Sequence, residues 1–187
     1  MEFNNKENTP HTTLEGNEIW KSRSVAVVGM MIALHEGEQY VVLGKRGPAL
    51  PNEVGRWCMP CGFLDFNETC EEAVVRETWE ESGLNVYKTM EQYEVLHDHM
   101  NYPWKIHSSP DDEQQNVSMH YSLYFSTKAN LYRDVARLPE LSFEHNKHVG
   151  EVDEIKWVNI KDLWEYDICF NHDSTINVFV ANLLPIE

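Results

Sequence analysis

The chain is expected to fold as an α/β protein, a mixed β-sheet with helices packed on it. Three observations predict this: a continuous apolar run of strand length at 24 to 34, a capped helix after Thr69, and proline or glycine punctuation between the segments. With 187 residues and 42% hydrophobic content, the chain can bury one real core and is short for two ordinary domains. One domain over residues 23–187 is expected, preceded by a polar lead at 1–22. That lead is either flexible or ordered against the body or a second subunit, as in a homodimer.

Taken in order, the run at 24 to 34 reads as a strand, and after the turn Glu36-Gly37-Glu38 its partner runs over 39 to 45. Pro48, Pro51 and Gly55 mark a loop, and 57 to 64 reads as a further strand. Thr69 with Glu72 three positions on forms a capping box for a helix that ends before Gly83. Segments 86 to 97 and 118 to 127 both suit strands, separated by a polar stretch holding Pro103, Pro110 and Asp111-Asp112-Glu113. A loop that long in a small domain is functional or disordered. Residues 133 to 150 lack periodicity, 154 to 160 reads as a short strand, and 174 to 184 as a closing helix.

Fifteen basic against 31 acidic residues give a net charge of -16, which repels nucleic acid backbones and anionic membranes. Nucleic acid is therefore a poor partner. No basic segment leads into an apolar stretch at the start and no run approaches a membrane span, so a cytoplasmic protein with no membrane partner is expected. Cys58 and Cys61 make a lone C-x2-C, while Cys70 and Cys169 stand alone. A zinc site lacks its second pair, and packed reduced thiols are the simpler reading.

The chemistry lies in residues 62 to 83, which spell G-x5-E-x7-R-E-x2-E-E-x-G with Gly62, Glu68, Arg76, Glu77, Glu80, Glu81 and Gly83 in the fixed places. On a helical wheel, Glu80 and Glu81 fall about 60 and 40 degrees to either side of Glu77. Cys70, Ala73 and Val74 share that arc, whereas Val75 and Trp79 lie nearly opposite. An ordinary solvated acidic face would keep apart from apolar residues, and this one does not. Three crowded carboxylates repel one another unless a cation sits between them, and hard oxygen ligands favour Mg2+, with Mn2+ as a substitute.

This spacing resembles the signature of the Nudix hydrolases, which use divalent metal ions to cleave a diphosphate linked to another group. The resemblance implies an α/β/α sandwich, metal ligation by Glu77, Glu80, Glu81 and the Gly62 carbonyl, and a Glu68 to Arg76 salt bridge that fixes the loop against the helix. Some members of the family take the catalytic base from a later loop, where Glu151 with Trp157 resembles that element. Glu151 is accordingly assigned to catalysis and metal binding, with Glu154 as the alternative base. Thr78 in place of an aliphatic residue, Cys61 before the box glycine and the bulk of Trp79 depart from the common pattern, yet none removes a ligand.

The expected activity is Mg2+-dependent hydrolysis of a nucleoside diphosphate joined to another moiety, of the nucleotide sugar, ADP-ribose or dinucleotide type. The alternatives are a Nudix-like module that binds a nucleotide without cleaving it, and a Nudix-fold isomerase. Arg46 and Arg56 are candidate phosphate contacts, and Tyr102 and Trp104 candidate stacking partners for a base. His97, His99, His145 and His148 lie at spacings that suit surface residues better than ligands.

Overall fold

A computed structural model describes residues 8–109, 116–128 and 136–183 of the chain. Strands β1 (Thr9–Thr12) and β2 (Glu18–Lys21) form an exposed hairpin in the polar lead, paired with each other. The main sheet has eight strands: β3 (Val25–His35), β4 (Glu38–Arg46), β5 (Trp57–Cys58), β6 (Cys61–Phe63), β7 (Glu94–Asp98), β8 (Lys105–His107), β9 (Val117–Ser126) and β10 (Val152–Asn159). Its central order is β10-β4-β3-β9-β7, with β5, β6 and β8 pairing to β4, β3 and β9. The β3 and β9 pair is parallel and the other pairs are antiparallel, so the sheet is mixed.

Helices cover both faces because β3 is apolar on both sides. Val27, Met31 and Ala33 pack with Ala73 and Val74 of α1 (Cys70–Ser82) and Val86 of α2 (Val86–Gln92). Val28, Met30 and Ile32 face the opposite way, towards Ile176 and Phe179 of α3 (His172–Asn182) and Leu163 of the 3-10 helix Ile160–Glu165. Successive strand residues point to opposite faces, so a strand buried on both sides reads as an unbroken apolar run. The expected sandwich is therefore the observed architecture.

The structure departs from expectation in two places. Residues 86 to 97 do not form one strand: 86 to 92 is α2, and only 94 to 98 joins the sheet. The Asn85 carboxamide accepts from the Lys88 N–H, a cap that favours helix over the strand propensity of Val86 and Tyr87. Segment 57 to 64 is likewise split at Met59-Pro60, where proline has no N–H to give a ladder and its carbonyl instead accepts from Gly29. Within the long polar stretch, β8 adds to β9, while residues 110 to 115 lie outside the described set, as do 133 to 135 of the later aperiodic segment.

Thr78 is fully buried, and its hydroxyl has no hydrogen-bond partner. It faces the backbone of Gly29, where an added Cβ would come within 2.5 Å of the hydroxyl oxygen. An unpaired buried hydroxyl costs about 1–3 kcal/mol. Thr78→Val is expected to raise stability by about 1 kcal/mol, read as a higher midpoint in urea at unchanged slope; a loss of stability would count against this account.

Candidate active site

The helix that carries the acidic motif is held at both ends. Thr69 accepts from the Glu72 N–H and the Glu72 carboxylate accepts from the Thr69 N–H, the reciprocal pair predicted for the start. At the other end Gly83 takes a left-handed conformation with φ 67, donating its N–H to the Trp79 carbonyl. A side chain there would also run into the Ser142 carbonyl at 2.7 Å, so conformation and space both call for glycine.

Arg76 is the hub of the site. Its guanidinium grips both oxygens of Glu68 at 2.7 and 2.9 Å, reaches Glu77 at 2.7 Å and Glu80 at 3.2 Å, and donates to the Phe63 carbonyl at 3.1 Å. Glu68 in turn accepts from the Asp65 N–H, so one cation ties the loop after β6 to the helix. The Arg76 guanidinium holds the Glu68 carboxyl below its ordinary range.

Glu77 and Glu81 also lie against the strand that opens the box, Glu77 while its Oε1 stays on Arg76. The Glu77 carboxylate lies against the Gly62 backbone so closely that a Cβ on residue 62 would fall 2.1 Å from Oε1. The Glu81 carboxylate accepts from the Cys61 N–H at 2.9 Å. Burial raises the proton affinity of Glu77, which Arg76 opposes and the charges of Glu80 and Glu151 reinforce. Burial pushes Glu81 well above the ordinary carboxylate range, with the Cys58 and Glu77 charges adding to it and Arg46 partly offsetting them. Two carboxyls raised chiefly by burial, with neighbouring negative charges adding to each, would be stabilised by further positive charge.

Glu80 shares the Arg76 Nη1 with Glu77. Only 9% of its side chain is exposed, and it is paired with both Arg76 and the Lys147 ammonium. Lys147 comes from the late loop, which nothing periodic in the sequence marked out. Beside it, His145 stacks on Trp79 with ring centroids 4.2 Å apart. Glu151 is brought towards Glu77 by the same loop: its carbonyl accepts from the Gly47 N–H at 2.7 Å, and any side chain at Gly47 would strike the Gly150 carbonyl.

Among the described residues, no three His, Cys, Asp or Glu side chains are grouped as a ready metal cage, and Arg76 and Lys147 occupy Glu77 and Glu80. The donor set still fits a hard divalent cation. It consists of oxygens only, and two basic side chains lie against the carboxylates that such an ion would neutralise.

The remaining candidates are engaged elsewhere. Arg46 donates to the carbonyl and side chain of Asn52 and lies over the Phe170 ring, although its charge reaches Glu81. Arg56 binds Asp167, Glu53 and the Ile168 carbonyl. Trp104 packs on Phe179, and Tyr102 is exposed beside His99. His97 stacks on Tyr124 and His99 contacts the Ser122 hydroxyl, while His148 takes its place in the late loop through the Asn146 side chain.

The NUDIX domain family model matches residues 23–179. The chain belongs to the Nudix family of hydrolases. An NAD-capped RNA hydrolase of Schizosaccharomyces pombe is 43% identical over 61 residues, a match that covers 33% of this chain and 15% of that relative. The NUDIX domain of Shewanella oneidensis NrtR, solved with ADP ribose, superposes with a TM-score of 0.63 at 19% identity, over 88% of this chain and 90% of that one. A bifunctional NMN adenylyltransferase/ADP ribose pyrophosphatase of Francisella tularensis, solved with AMP and a manganese ion, gives a TM-score of 0.59 at 21% identity, over 86% of this chain and 42% of that one. These structures share the Nudix fold with this chain. No helix among the described residues is long and apolar enough to cross a membrane.

A pH dependence follows from the Nudix carboxylates. In the metal-free chain Glu77 and Glu81 bind protons more tightly folded than unfolded, so between the ordinary carboxylate range and their raised values the folded state holds the extra protons. Stability from this source therefore falls as pH rises through that window. In EDTA, wild type is expected to lose more melting temperature than Glu81→Gln between mildly acidic and neutral pH. Mg2+ should restore the loss at the higher pH. Parallel profiles for the two proteins would contradict it.

Proposed function

We propose that this Nudix hydrolase cleaves the pyrophosphate bond of a nucleoside diphosphate joined to another moiety, in a reaction dependent on Mg2+ or Mn2+. The observation that carries the reading is the pair Glu77 and Glu81, both set against the Cys61-Gly62 backbone and both raised in proton affinity by burial although Arg76 binds Glu77. Glu77, Glu81 and the Gly62 carbonyl would hold the ion, with Glu80 and Glu151 completing the acidic cluster. When bound, such an ion neutralises the diphosphate and lowers the pKa of water. Glu151, on a loop pinned by Gly47, orients the attacking water and accepts its proton. Arg76 and Glu68 keep the box loop and helix in register. Residues 23–187 form the catalytic unit.

ADP ribose and AMP accompany the structural neighbours, and NAD-capped RNA is named for the curated relative. The charge of -16 favours a small nucleotide over a capped RNA, whose backbone it repels. The test is a hydrolysis screen with Mg2+ across ADP-ribose, other nucleotide sugars, dinucleotide polyphosphates, NADH, damaged nucleoside triphosphates and NAD-capped RNA. Release of a nucleoside monophosphate from a small diphosphate compound is expected. Ligand-induced melting shifts with no cleavage of any compound would replace the hydrolase with a binding module.

A further inference from the structure

Three of the four cysteines meet at one place that the proposed hydrolysis does not use. Cys58 and Cys169 are buried, Cys61 is half-buried, and all are free thiols. Cys58 ends β5, and the chain just before α3 runs alongside it in parallel: Trp57 bridges Ile168, the Trp57 N–H donates to the Asp167 carbonyl, and the Cys169 N–H donates to the Trp57 carbonyl, both at 2.9 Å. Continued by one step, that single bridge sets Cys58 opposite Cys169. Paired residues on neighbouring strands lie about 5 Å apart and project to the same side, inside the roughly 4.4–6.8 Å between Cα atoms that a disulfide spans.

The side chains agree with the backbone. The Cys169 thiol reaches the Trp57 carbonyl at 3.4 Å, and the Cys58 thiol interacts electrostatically with Cys169 and Cys61. Next to them, the Met59 N–H donates to Nδ1 of His172, so that lone pair is already engaged. With no metal cage among the described residues, the cluster suits covalent sulfur chemistry better than zinc.

We propose that Cys58 and Cys169 are an oxidation site at which a hydroperoxide closes a disulfide between the strand leading into the Nudix box and the segment leading into α3. The Cys58 thiol loses its proton and the thiolate attacks the peroxide oxygen; the O–O bond breaks, leaving the sulfenic acid, and the departing oxygen takes up that proton to leave as water from hydrogen peroxide or as an alcohol from an organic hydroperoxide. The Cys169 sulfur then displaces the hydroxyl of that sulfenic acid, which leaves as a second molecule, water, with the Cys169 proton. Two thiols lose two electrons in total and the peroxide gains them. Hydrogen peroxide is small enough to enter by local opening, and the product links segments far apart in the chain that meet at the Trp57 to Ile168 bridge.

The test uses the full chain, reduced, treated with hydrogen peroxide, alkylated and digested without reductant for mass spectrometry. A peptide pair joined through Cys58 and Cys169, short of two hydrogens and separated by dithiothreitol, is expected. It should persist in Cys70→Ser and vanish in Cys169→Ser. Separate alkylation of Cys58 and Cys169, or a link from Cys58 to Cys61 in their place, overturns the proposal. Because Cys169→Ser could fail to fold, wild type is also treated in concentrated urea. The link should form there at least tenfold more slowly, and equal rates folded and unfolded would show that the fold does not create the site.

Discussion

Glu81→Gln is expected to retain the fold and to lower turnover of the diphosphate substrate by about 10^2 to 10^3, the range seen when one preorganised electrostatic group is removed from an active site. The amide keeps the shape of the side chain and can still accept from the Cys61 N–H, so the packing around Ala73 and Val74 should survive. What it removes is charge. Glu81 is the carboxylate most strongly raised in proton affinity, and a divalent ion gains most where negative charge is least compensated. Glu80→Gln should cost less than Glu81→Gln, because Arg76 and Lys147 already neutralise Glu80. Steady-state kinetics at saturating Mg2+, with circular dichroism as the check on folding, measure both; full activity in Glu81→Gln would remove it from the site.

Arg76→Ala is expected to be the most damaging single change to stability, about 3 kcal/mol, or a fall in melting temperature of roughly 6–12 °C. The guanidinium, 22% exposed, serves Glu68, Glu77 and Glu80, whose side chains are 14, 13 and 9% exposed. Its loss takes the ion-pair partner from two poorly hydrated carboxylates, Glu68 and Glu77, leaves Glu80 with Lys147 alone, and leaves the Phe63 carbonyl without its donor. Arg76→Lys should recover only part of the loss, since an ammonium cannot bind both oxygens of Glu68 while reaching Glu77. Mg2+ should stabilise the Arg76→Ala protein more than wild type, because the ion takes over part of the missing charge. Denaturation with and without Mg2+ decides it, and a change within about 0.5 kcal/mol of wild type would place Arg76 among ordinary surface ion pairs.

The site was legible to the extent that it is local. Capping box, helix, left-handed glycine and the arc shared by Glu77, Glu80, Glu81, Ala73 and Val74 all lie within a few turns of one helix, where spacing dictates direction. The Glu68 to Arg76 pair was implied by the family resemblance and not by helical spacing, since Glu68 lies before the cap Thr69. Residues 86 to 97 misled because β-branched and aromatic side chains suit strands, whereas one asparagine cap and burial against α1 decided for helix. Lys147 was invisible in an aperiodic loop, and nothing in the spacing of Arg46 and Arg56 announced that Asn52, Glu53 and Asp167 engage them.

By itself the sequence determined a mixed sheet between helices and an acidic box with its capped helix, since apolar periodicity and i to i+4 geometry are properties of neighbouring residues. Only the tertiary structure decided that Glu80 meets Lys147, that Glu77 lies between Arg76 and Gly62, and that Glu81 turns to the Cys61 N–H. It alone brought Cys169 beside Cys58. Such meetings depend on strand register and loop closure across the sheet, and the residues they join carry no mark of each other along the chain.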